Sequence, residues 1–195
     1  MLEFLSLPGM FAIYGVVIGS LMSGGVAIFH GFLNRQRAAK FLAVVIVIAL
    51  DRYVANCASA LVNTPLDFDH ERDPDDQFNM PDRLVLPEEP DWTSIPADLA
   101  HKILELPQRD AQAHEAVGTI WHLADGSAAR STRDDEFTRL AIEASEIARD
   151  LRTRYGLPAR PHADWDPVSE IKQFRTKYLS DRDSASAAID FPVQP

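Results

Sequence analysis

Six histidines, one cysteine and a dense run of acids are the residues of this chain best equipped for chemistry, and their spacing decides what each could do. "HEAVG", starting at His114, opens like a zinc-hydrolase helix, in which two histidines four residues apart hold the metal from one face. Gly118 stands at the second position. His122 follows eight residues on, about 80° round an ideal helix, so the two do not converge. "HADWDP" sets His162, Asp164 and Asp166 at alternate positions, a spacing open to a metal or an acid–base pair. Asp166 directly precedes Pro167, however, and a helix cap is its simpler role. Asp67, Asp69, Glu71, Asp73 and Asp75 mimic a calcium loop, but Arg72 and Phe78 replace the glycine and glutamate such a loop needs.

Nucleophilic chemistry fares no better. Ser127 lies near His122 without the strand–turn–helix setting of a hydrolase. Gly118, Gly126 and Gly156 are too scattered to form a phosphate loop. A lone cysteine, Cys57, excludes an intrachain disulfide framework and a multi-cysteine zinc site, and its expected fate is burial. No catalytic, cofactor-binding or metal residue is assigned, so no cofactor and no enzymatic activity are expected. The enzymatic reading left open is a site assembled only in three dimensions, around His162, Trp121 and Trp165.

Charge and hydropathy then divide the chain. The net charge is −10, and residues 66–91 alone hold ten acids against Arg72 and Arg83. A negative chain without a basic face is a poor nucleic-acid binder. The opening is different: no charged residue falls between Glu3 and Arg35. About 20 apolar residues cross the hydrocarbon core, and residues 8–32 exceed that length, interrupted only by Ser20, Ser23 and His30. A transmembrane helix is expected over residues 8–33. It lacks the leading basic patch of a cleaved signal, and its Arg35, Arg37 and Lys40 follow the span. That order predicts a single pass through a bacterial cytoplasmic membrane, N-terminus out and C-terminal domain inside, with residues 34–40 as the basic flank. Gly15, Gly19 and Ser23 recur every four residues, a small-residue face through which two such helices can pack into a homo-oligomer in the bilayer.

Residues 41–62 pose the question of a second span. Asp51 and Arg52 at its centre cost roughly 5 to 7 kcal/mol together, and the apolar residues return roughly 3 to 7. The reading adopted is one span, with residues 41–62 a juxtamembrane helix covered by downstream helices or a second copy. The alternative is a bilayer-active hairpin, a small pore or disrupting protein built from residues 8–62. Residues 63–91 read as an acidic, proline-rich linker, extended and partly laid over the folded part.

The remainder is helical. Ser94 is a cap candidate, with Leu99, Ile103 and Leu106 on one side of a helix that Pro107 is expected to end. The next helix carries a stripe of Ala113, Ala116, Val117, Ile120, Leu123 and Ala124, with Gly126 at its exit. A third is expected to start at Thr132 and end at Gly156, burying Phe137, Leu140, Ala141, Ala144, Ile147, Ala148, Leu151 and Tyr155. The last starts at Asp166 with Val168, Ile171, Phe174 and Tyr178 on its ridge. Residues 92–180 thus form a helical domain and 181–195 a flexible tail. The predicted fold is all-α: a transmembrane helix, a juxtamembrane helix and a small antiparallel helical bundle.

"LDRYVANCASAL", "DWTSIPADLAHKILELP", "RTRYGLP" and "DWDP" together resemble an uncharacterised family of bacterial proteins with an N-terminal transmembrane helix and a small helical domain. The resemblance covers roughly residues 41–180 and implies one anchored helical unit. It implies no activity and no role for any residue. The function expected is therefore binding or scaffolding at a lipid bilayer, with an unknown protein partner and no nucleic acid.

Overall fold

In the computed structural model, helix α1 (Pro8–Val62) is one unbroken rod of 55 residues, about 80 Å long. The structure describes residues 8–63, 79–88, 91–124, 126–160 and 165–189, and side-chain surroundings from residue 35 to 180 within them. No glycine or proline falls between Phe32 and Val62, so nothing in this half of the rod breaks the hydrogen-bond ladder. Residues 34–40 and 41–62 are therefore turns of the same helix as residues 8–33, with no reversal between them. α1 is long and apolar enough to cross a membrane, and within Arg35–Val62 half of the apolar window is buried against other helices.

Three more helices complete the bundle, and among the described residues there is no strand. These are α2 (Ala97–Leu123), α3 (Gly126–Tyr155) and α4 (Pro167–Ile189). α1 packs mainly on α3 and secondarily on α4, and α2 packs on α3. α2 meets α1 near Lys40 at its start and near Tyr53 at Asp110, so these two run parallel. Arg109 pairs with Glu143 and His114 packs edge-on against Phe137, so α3 runs back antiparallel to α2. Ser131 meets Tyr178, which makes α4 antiparallel to α3. The core sits where these faces meet: Ile46, Leu50, Val54 and Cys57 of α1, Ile103 and Val117 of α2, and Phe137, Leu140, Ala144 and Leu151 of α3. The α3 face matches the sequence pattern residue for residue except Tyr155, which is half-buried.

Several boundaries differ from expectation. Pro107 lies inside α2 rather than ending it. An interior proline costs about 3 kcal/mol, but Ile103 and Leu106 before it and Asp110 and Ala113 after it share one buried face. Packing on both sides keeps the helix running through. The buried stripe beyond the proline is Ala113, Val117 and Trp121, while Leu123 is 82% exposed where α2 ends. Gly126 opens α3 instead of closing α2. Thr132 is therefore no cap; its hydroxyl donates back to Ala128 O at 3.0 Å. Ser94 belongs to a short 3-10 turn, Trp92–Ser94, capped by Asp91, and α2 begins after Pro96 with no side-chain cap. α4 continues to Ile189, past residue 181 where a tail was expected.

α1 and α2 can run parallel because the acidic linker carries the chain back along them. Its described part, residues 79–88, is extended, and buried polar groups hold it. Asp110, 1% exposed, accepts from Tyr53 OH at 2.8 Å and from Leu84 N–H at 3.0 Å. His114 places Nδ1 2.9 Å from Asp110 O and Nε2 3.0 Å from Pro81 O. A neutral ring donates to one of these carbonyls and an imidazolium to both. Asn56 donates to Asp82 at 3.0 Å, and Leu84 fills the core beside them. Replacing Asp110 by Ala strands the Leu84 N–H and the Tyr53 hydroxyl. Urea unfolding in detergent should show a loss of about 3 kcal/mol, and hydrogen exchange at the Leu84 amide should accelerate.

Candidate functional site

Gly156, at φ 58°, ends α3 in the left-handed conformation that a side chain resists, and Leu157 N–H closes the turn on Arg152 O at 3.0 Å. This turn sends Arg160 back onto α1. Its guanidinium donates to Asp51 O at 3.0 Å and lies 3.9 Å from the Asp51 carboxylate, which also accepts from Arg152. One carboxylate of α1 thus sits between two guanidiniums, all three partly buried. They floor a cavity of about 480 Å³ among α1, α3 and the start of α4.

The opposite wall is set by the α4 cap. Asp166 accepts from Val168 N–H at 3.2 Å and from Ser169 Oγ at 2.6 Å. The Ser169 hydroxyl holds its carboxyl below the usual range against a smaller opposing effect of burial, with a lesser contribution from the backbone. Trp165, Leu157 and Val168 supply apolar surface, Arg149 and Lys172 add positive charge to the lining, and Glu146 adds a negative one. Two hydroxyls also line the cavity, and both are engaged: Ser145 donates to Ile142 O at 2.7 Å and Thr153 to Arg149 O at 3.0 Å. Among the described residues of the lining no nucleophile is poised against a base. A guanidinium floor facing an indole wall suits holding an acidic or aromatic group, which is binding chemistry.

Of the residues singled out in the sequence, Trp165 and Asp166 line this cavity, and the other described ones lie elsewhere. His114 anchors the linker, and His122 is exposed. Trp165 lines the cavity whereas Trp121 is buried in the core, so the two do not share a site. His162, Asp164 and the acids from Asp67 to Asp75 lie outside the described residues. Gly15, Gly19 and Ser23 lie on α1, in the part whose side-chain surroundings are outside that description. Cys57 is fully buried; burial pushes its thiol up, out of the reactive range. Among the described residues no three His, Cys, Asp or Glu side chains converge on a metal position.

Sequence reading missed the Asp51–Arg152–Arg160 cluster and the buried pair Arg133–Asp134. In that pair Arg133 Nε donates to Asp134 at 2.9 Å, and burial pushes the Asp134 carboxyl up while Arg133 opposes the shift. The basic turn "RTRYGLPAR" was a visible signal, but nothing local named its carboxylate partner. The chain matches no family model, no curated protein and no solved structure.

Asp51→Ala leaves two partly buried guanidiniums without their carboxylate and should cost about 2 kcal/mol. Adding Arg152→Leu should recover much of that loss in urea unfolding, because an apolar side chain carries no unpaired charge. Asp166→Ala should cost about 1 kcal/mol at pH 7. A depressed carboxyl stabilises the fold above its ordinary value near 3.9 and loses that effect as pH falls through its lower folded value. The difference between parent and variant should therefore shrink in unfolding curves taken below about pH 4.

Proposed function

We propose that this chain is a single-pass, membrane-anchored helical binding or scaffold protein. Residues 8–33 cross the bacterial inner membrane with the N-terminus outside, and the bundle lies at the cytoplasmic face. The observation that carries this reading is the division of α1: one helix, free of charge over its first half, with its second half packed as a bundle helix. The second half is committed to protein contacts. Its Asp51 is shared by Arg152 and Arg160, and its Tyr53 is bonded to Asp110. A second span through residues 41–62 would have to give up these partners in lipid. Arg35, Arg37 and Lys40 support the inward orientation.

One partner is a second copy. Phe41, Ile48 and Val62 are exposed on the side of α1 away from the bundle, at 72%, 61% and 55%. Ile48 and Val62 follow Phe41 at multiples of seven, and Phe41 lies five helical turns beyond Ser23. On an ideal helix the exposed apolar line and Gly15, Gly19 and Ser23 fall within about 80° of one another, which supports a shared face. The Asp51–Trp165 cavity is the surface for a different protein partner, one that offers an acidic or aromatic side chain.

Membrane pellets should retain the full chain after alkaline carbonate washing, and a C-terminal fluorescent fusion should report the cytoplasm. Release by carbonate would end the anchoring reading, and periplasmic phosphatase activity of a C-terminal fusion would end the orientation. In a membrane dimerisation reporter, Gly19→Ile should lower self-association at least threefold; an unchanged signal removes the shared face.

A further inference from the structure

We propose that the membrane-proximal end of the bundle carries a binding site for the phosphate of an anionic lipid headgroup, formed by Arg35, Lys40 and Arg154. The inference rests on residues 8–33 being the membrane span. These three cations, two from α1 and one from the last turn of α3, line one half-open cleft of about 660 Å³. Tyr155 and Ile95 line it too, and no Asp or Glu does.

In a chain of 29 acids and 19 bases, that absence is informative. Arg109, Arg130, Arg139, Arg152 and Arg160 each have a carboxylate within 4 Å. Arg35, Lys40 and Arg154 have no such partner among the described residues. Asp91, two residues before Thr93 of the cleft, turns its carboxylate onto the Thr93 N–H and hydroxyl. Asp98 is exposed in the first turn of α2 and is not part of the lining. The fold has gathered three like charges at one end, and among the described residues no carboxylate pairs with them.

Position decides the ligand. Arg35 comes two residues after the span ends, and Lys40 lies about 8 Å further along the helix axis. Measured from the end of the span, the two sit at about 3 Å and about 10 Å, on either side of the phosphate layer, since headgroups add roughly 5–8 Å beyond the hydrocarbon on each side. Arg154 presents a fork that suits phosphate oxygens, and Tyr155 is a residue type that favours the interface. Ala39, Ile95 and Pro96 add apolar surface suited to a glycerol backbone and the start of an acyl chain. A free phosphate would leave most of this volume and its apolar surface unused. Charges that merely orient a span can lie anywhere on its flank; Arg154 is brought there only by the tertiary fold.

The test uses full-length protein in nanodiscs of phosphatidylcholine alone or with about one-third phosphatidylglycerol. Retained lipid is counted by native mass spectrometry and stability by thermal melting. Phosphatidylglycerol should be enriched on the parent protein and raise its melting temperature. Arg154→Gln and Lys40→Gln should each weaken that enrichment about fivefold. Arg83→Gln, outside the cleft, should not. Protection of Cys57 from maleimide reports that each variant is folded. Equal lipid retention by parent and both variants in well-formed discs overturns the headgroup site while leaving the anchor standing. Equal stabilisation by inorganic phosphate in phosphatidylcholine discs overturns it in favour of a free-anion site. Failure of the parent to enter discs of either composition removes anchor and site together.

Discussion

The structure depends on one helix face serving as the common wall of the bundle. Ile46, Leu50, Val54 and Cys57 recur at three- and four-residue spacing along α1, and each is fully buried. α3 and α4 both rest on this helix. Without it, α2, α3 and α4 would keep only their own apolar faces, chiefly Ile103, Leu106, Val117, Phe137, Leu140, Leu151 and Ile171, a thin core for their length. The same rod continues toward the N-terminus with no break, so any force on its apolar first half is delivered directly to the core.

Polar groups do the positioning that apolar burial cannot. Hydrophobic contact is nondirectional, and a helix can slide or rotate along it at small cost. Asp110 removes that freedom on one side by taking Tyr53 of α1 and Leu84 of the linker at once. Asp51 does the same on the other, joining α1 to the end of α3 and to the loop after it. Both are buried or partly buried carboxylates with multiple donors, the arrangement in which charge can be held inside a protein without a large net loss. Asp110, together with His114, also explains the unusual topology: a linker with ten acids between residues 66 and 91 returns beside α1 because two of its backbone groups are bonded by α2.

Charge is distributed in the same economical way along the rod. The acidic excess lies in the linker and the bundle surface, whereas the end next to the apolar half of α1 presents Arg35, Lys40 and Arg154. A molecule arranged so has an electrical polarity matched to an anionic surface on one side and to repulsion from it on the other. On the reading proposed above, attachment and bundle orientation would be one property of the fold rather than two.

Apolar periodicity was enough to read the chain as helical and to find the α3 face, and the Asp166–Pro167 pair to find the cap of α4, because those signals lie within a turn or two of local chain. Helix boundaries were harder. Pro107 and Thr132 carry strong local signals for a stop and a start, and packing against α3 on both sides of the first, and a start already made at Gly126 for the second, overrode them. What only the tertiary structure could decide was which distant charges meet. Asp51 with Arg152 and Arg160, Asp110 with Leu84, and Arg154 beside Arg35 and Lys40 are pairings across long stretches of chain, and no local rule of spacing encodes them.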